Sequence, residues 1–259
     1  MSLRRRTLEA AFAQRPPAPD NPFGAAVSAL DALLRELAPA QYEQVVIYDW
    51  TVAHVLVHLA ATDSLLAHAI GLHAAPPVPG EDLLARTVRM IAAAPCAADV
   101  KRVWFEQAMA IARVPLGEDV FQVGQIRLPG KDQATARAFE TWIHSRDIAA
   151  AVGLPRHSPP PKHLHAMANL AMRLLSSLVP HGRFVLTGPA GGVWELGEPT
   201  VELTIEPTVE LTVELTMDTL DFCLLAGDRL RVEDLDHHVR GDEEAAGRIL
   251  SVVPSFAGP

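Results

Sequence analysis

The sequence predicts an α+β protein: an N-terminal helical bundle followed by a small domain of strands and helices. Apolar residues recur at helical spacing from Phe23 to Leu178, and from Arg183 onward the period falls to two. Between these regions, 155–161 holds four prolines and is the best linker in the chain. The expected domains are a bundle over 20–155, with a helix at 162–180 packing on it, and an α+β domain over 181–259.

In the first helix, 22–37, Phe23, Val27, Leu30, Leu33, Leu34 and Leu37 share a face, with Asn21 as N-cap and Pro22 at the first helical position. A second helix is expected to start at Asp49 as its cap and to reach about Leu72. Val52, Val55, Leu56, Leu59, Leu65, Leu66 and Ile70 make it apolar on most sides, so a polar group on it needs a partner. The proline-rich stretch 74–80 ends it. Helices at 81–94 and 97–111 follow, then a short extended excursion over 120–128 closed by Pro129-Gly130. The next helix, 132–152, stops at Gly153-Leu154-Pro155. After the linker and the helix at 162–178, strands are expected at 183–188 and 192–197, punctuated by glycine and proline.

From Thr200 to Thr216 the motif Val-Glu-Leu-Thr occurs three times. Apart from Pro207, odd positions are apolar and even ones are Glu or Thr. That alternation gives strands with one buried and one wet face, interrupted at Pro207. A helix over 218–226 ended by Gly227, and a last helix capped by Asp242 and running to about Val252, complete the order.

A chain of 259 residues can bury an ample core. Its formal net charge of −9, with no basic stripe, excludes a nucleic-acid partner. Met1-Ser2-Leu3-Arg4-Arg5-Arg6 begins like a signal peptide, but Glu9, Gln14 and Arg15 interrupt any apolar run. The apolar helices read as too short or too polar to span a bilayer, so no membrane partner is expected and the location is cytoplasmic. Two cysteines, Cys96 and Cys223, allow neither a disulfide framework nor a Cys-based zinc motif. Thiol chemistry here would need a borrowed thiol.

The chemistry-bearing residues come in two pairs. His54 and His58 lie four apart in the apolar second helix, and Glu140 and His144 lie four apart in the helix at 132–152. Four residues is little more than one turn, so each pair shares a face, with β-carbons about 5–6 Å apart. If the two helices pack side by side, three imidazoles and one carboxylate meet in the bundle core. Helix bundles build metal sites in this way. The other histidines lie near helix ends or in loops and carry no chemistry in this reading.

The segment Asp49-Trp50-Thr51 with His54 and His58, together with Glu140-Thr141-Trp142-Ile143-His144, resembles the mycothiol-dependent maleylpyruvate isomerase family, within the wider DinB-like group of metal-binding four-helix bundles. Phe184-Val185-Leu186-Thr187-Gly188-Pro189, the run from Asp221 to Arg229, and Gly241-Asp242 resemble the sterol-carrier-like second domain of those proteins. The resemblance implies three ligands, His58, Glu140 and His144, and leaves His54 outside. Three protein ligands with open positions is the pattern of a catalytic zinc site, and the same set accepts other divalent metals. It also implies a substrate-facing arginine just after the Ala-Gly of the second domain. Here Asp228 intervenes, so Arg229 is the match and Arg231 the next nearest.

The activity implied is activation of a low-molecular-weight thiol, mycothiol or a relative, for addition to a small electrophilic substrate. Rotation and elimination would make the enzyme a cis–trans isomerase; release of the adduct would make it an S-transferase. Arg229 is expected to clamp a carboxylate at the domain interface. Two other classes fit the same residues: a non-catalytic metal- or ligand-binding regulatory module, and a thiol-independent metalloenzyme of specialised metabolism.

Overall fold

A computed structural model of the chain describes residues 21–94, 97–176, 178–179, 182–196 and 213–256. It divides into two compact units, with the boundary between His157 and Ser158.

The first unit is built on helices α1 (Pro22–Arg35), α2 (Val52–Ala69), α3 (Leu83–Ala92), α4 (Ala97–Ala112) and α5 (Gly130–Ala151). Phe23, Leu30, Leu34, Leu56, Leu59, Leu66, Trp104, Ile111 and Ile148 are fully buried in its core. α2 is central, packing on α3, α4 and α5, while α1 lies chiefly on α5. Asn21 caps α1 as expected, its side chain accepting from the N–H groups of Phe23 and Gly24. Its amide also donates to Ala112 O at 2.7 Å, tying the start of α1 to the end of α4.

Three expectations for this unit change. The second helix starts at Val52 with Thr51 as its cap, because Trp50–Thr51 (β2) pairs antiparallel with Val45–Ile47 (β1) in a small hairpin. Asp49 sits in the turn of that hairpin. α2 is also long and apolar enough, by length and composition, to cross a membrane, contrary to expectation; 72% of it is buried inside the protein, which accounts for that composition. The extended excursion is a second hairpin, β3 (Val120–Val123) with β4 (Ile126–Pro129), turning at Gly124 with φ +59°. α5 begins directly after it, at Gly130. A Cβ there would meet Phe121 Cε2 at 3.0 Å and Leu116 Cβ at 3.1 Å, so the residue must be small.

The second unit holds α6 (Pro161–Leu175), β5 (Gly182–Thr187), β6 (Gly192–Leu196), β7 (Val213–Asp218), α7 (Thr219–Ala226), β8 (His237–Gly241) and α8 (Glu243–Val252). The helix expected at 162–180 is α6, which falls within this unit and packs on α7 and β6. The sheet order is β6-β5-β7-β8, with β5 and β7 parallel and the outer pairs antiparallel. Val213, Leu215 and Met217 of β7 are buried while Glu214 and Thr216 are less so, which is the alternation expected of the third Val-Glu-Leu-Thr copy. The other two copies, Pro207, Cys96, His181 and 1–20 lie outside the described residues. Strand β8 was not expected, since His237-His238-Val239-Arg240-Gly241 contains a single large apolar residue.

Candidate metal centre

The i,i+4 spacing on α5 and the packing of α2 bring His58, Glu140 and His144 to one point. One ligand atom from each lies within 4.8 Å of the others. His58 Nε2 is 2.9 Å from Glu140 Oε1, and the two imidazole rings meet edge-on with centroids 5.1 Å apart. Both histidines are buried, and the Trp50 ring lies 5.1 Å from that of His58.

Each donor is held from behind. Thr87 of α3 places Oγ1 3.0 Å from His58 Nδ1. His144 Nδ1 is 3.2 Å from Asp147 Oδ2, an acceptor, so the proton of the neutral ring sits on Nδ1 and Nε2 keeps its lone pair. Glu140 Oε2 accepts from Arg137 Nη1, one turn earlier on α5. Arg137 Nε donates in turn to Asp63 Oδ1 at 2.7 Å. Thr62 Oγ1 reaches both His58 O at 2.9 Å and Glu140 Oε1 at 3.2 Å.

Electrostatics favours the metal-ready forms. Burial pushes the His144 imidazole below its usual pKa, more than the Asp147 hydrogen bond lifts it, so it stays neutral through the neutral range. Burial raises the Glu140 carboxyl, but Arg137, His58 and His144 together outweigh that and hold it well below the carboxylate range. Asp63, desolvated more than Arg137 compensates, is raised to about 6, so it too is ionised at neutral pH.

His54 is not among the converging donors. It closes a capping box instead: Thr51 N–H points at His54 Nδ1, and His54 N–H at Thr51 Oγ1, both at 3.4 Å. Arg229 belongs to the second unit, where its Nη1 donates to Gly227 O at 2.8 Å and Asp228 O at 3.3 Å. The intervening Asp228 takes the left-handed position after α7, with φ +53°. Its N–H bonds Leu225 O and that of Arg229 bonds Leu224 O, a Schellman closure. Arg231 is exposed and pairs with Glu233 and Asp234. Sequence reasoning missed Thr62, Asp63, Thr87, Arg137 and Asp147, although Arg137–Glu140 and His144–Asp147 both show the i,i+3 spacing that could have found them.

Two imidazoles and one carboxylate, each imidazole with its other nitrogen in a hydrogen bond, suit a divalent first-row ion. The profile of the mycothiol maleylpyruvate isomerase N-terminal domain matches residues 23–149, which include all three donors. Residues 23–149 thus carry the N-terminal domain of the mycothiol maleylpyruvate isomerase family. A crystal structure of the mycothiol-dependent maleylpyruvate isomerase superposes with a TM-score of 0.56 at 15% identity, over 90% of this chain and 91% of that one. A histidine-to-alanine mutant of that isomerase gives 0.55 at 14%, with the same coverage. At such identity the match shows the fold, a helical N-terminal part and an α+β C-terminal part, across nearly the whole chain. Uncharacterized proteins from two strains of Mycobacterium tuberculosis are 27% identical over 229 residues, covering 81% of this chain and 83% of theirs.

Proposed function

We propose that this protein is an enzyme of the maleylpyruvate isomerase type. It uses zinc or another divalent metal at His58, Glu140 and His144, with a mycothiol-like thiol as cosubstrate for a small electrophile. The observation that carries this reading is the convergence of the three donors within 4.8 Å, in a domain matched to that family. A divalent ion bound there lowers the pKa of a coordinated thiol, so that thiolate is available at neutral pH. The chain's own residues prepare the place: Thr87 and Asp147 orient the imidazoles, Arg137 keeps Glu140 ionised, and buried Trp50 helps exclude water beside His58.

Cys223 is no substitute for the cosubstrate, since burial pushes its thiol far up. The thiolate sulfur adds to the electron-poor carbon of a cis double bond, the resulting single bond rotates, and elimination returns the thiol and the trans isomer. Release of the adduct after protonation would instead make the reaction an S-transfer. Arg229 is assigned to hold a carboxylate of substrate or thiol. The reaction belongs in the cytoplasm, where low-molecular-weight thiols stay reduced.

Incubation of zinc-loaded protein with mycothiol and maleylpyruvate, followed by NMR and mass spectrometry, separates the outcomes. Isomer or adduct should form with wild type and be lost with Glu140→Ala. A non-catalytic module would leave both compounds unchanged. A thiol-induced thermal shift that persists in Glu140→Ala would contradict the coordination.

A further inference from the structure

Glu140 has two carboxylate oxygens in different situations. Oε1 faces His58 Nε2 at 2.9 Å and Thr62 Oγ1 at 3.2 Å. The Thr62 hydroxyl has one proton and a second acceptor, His58 O, at 2.9 Å, so Oε1 can be given up to an ion without stranding that donor. Oε2 is held by Arg137 Nη1. The Arg137 guanidinium is buried, its Nε is already committed to fully buried Asp63, and its Nη2 has no partner among the described residues. Pulling Oε2 away would leave a buried cation short of another acceptor, which is costly.

We propose that Arg137, backed by Asp63, is a positioning residue that restricts Glu140 to a single oxygen as metal ligand. This rests on the metal reading above and deepens it. One carboxylate oxygen plus two imidazole nitrogens makes three ligand atoms, whereas a two-oxygen Glu140 would add a fourth protein atom, raise the coordination number and crowd the position needed for thiol or substrate. The Arg137–Glu140 ion pair keeps that position open. Asp63 balances the guanidinium, so Arg137 sits between two carboxylates from two helices and cannot swing away from either without leaving its buried guanidinium short of an acceptor.

The test uses the cobalt(II)-substituted full chain, whose visible d–d absorption weakens as coordination number rises. Arg137→Met alone leaves Asp63 buried and unpaired, so Asp63→Leu/Arg137→Met, which removes both charges together, is the deciding variant. It should still bind one cobalt per chain at saturation, with visible absorbance several-fold below wild type because both oxygens of Glu140 engage. Arg137→Lys with Asp63 intact, retaining one charged donor, should recover most of the intensity. An unchanged spectrum in the cobalt-loaded double variant overturns the assignment of Arg137 and leaves the metal site standing. So does a folded double variant that binds no cobalt, since Glu140 should gain an oxygen rather than be lost. Failure of wild type to bind cobalt overturns both.

Discussion

Thr87→Val removes one hydroxyl and keeps the shape of the side chain. Thr87 and His58 are 0% and 1% exposed, and their Oγ1–Nδ1 distance is 3.0 Å, so no water can replace the lost partner. In a neutral, metal-free ring, a proton on Nε2 is the one that can be donated to Glu140, which leaves Nδ1 to accept from Thr87. With metal on Nε2, the proton must move to Nδ1 and be donated to Thr87, whose hydroxyl serves either direction. The valine variant therefore leaves an unpaired acceptor in the metal-free form and an unpaired buried N–H in the loaded form. The second is the more costly, out of a range of about 1–3 kcal/mol for an orphaned buried group. A difference of about 1.4 kcal/mol is tenfold in affinity. Only the difference between the two costs reaches the affinity, so zinc binding, read by chelator competition, should fall by about tenfold, the low end of the about 10–100-fold that loss of such a partner typically costs. Thr87→Ser should restore most of it. An affinity within about twofold of wild type in a folded Thr87→Val protein would refute the assignment of His58 Nε2 as the metal-facing nitrogen.

Other consequences are as direct. His54→Ala should leave metal content at the wild-type level while costing up to about 1 kcal/mol of stability from the α2 cap, read by denaturant unfolding; loss of metal would return His54 to the ligand set. Because burial holds the His144 imidazole below its ordinary pKa, protons compete for its Nε2 only in acid. Zinc affinity should therefore hold steady from about pH 8 to 7 apart from metal hydrolysis, then fall as His144 protonates; a steep decline above neutrality would contradict this. Asp228→Gly relieves the left-handed backbone at the end of α7 and should stabilise the protein by about 0.5–1 kcal/mol. A drop in stability would show that the Asp228 side chain contributes more than its φ angle costs.

What the sequence reveals and what it hides follow from the range of the interactions. Glu140 and His144 are legible because both lie on one helix, where spacing alone fixes their shared face. His58 stands out because α2 is apolar on nearly every side. His54 has the same signature and was separated from His58 only by resemblance. Its actual role depends on where α2 starts, and that is set by the β1–β2 hairpin, whose Val45–Ile47 and Trp50–Thr51 are too short to show a period. Thr87 could not be found by spacing, since it reaches His58 from another helix, 29 residues away. Asp63 is the charged residue that the apolar pattern of α2 should have flagged, since a buried carboxylate there demands a cation, and Arg137 supplies it. Strand β8 was hidden because its residues lack alternation and it is held by pairing with β7. For α6, periodicity shows an apolar face without showing what covers it, and in the structure α7 and β6 pack on this helix.

Metal analysis by inductively coupled plasma mass spectrometry, on wild type and on His58→Ala, Glu140→Ala and His144→Ala after equilibration with zinc and desalting, tests the central claim most directly. One ion per wild-type chain, reduced to a small fraction in each of the three variants, is the expected result. A metal-free wild type, or variants that keep their full complement of zinc, would contradict it.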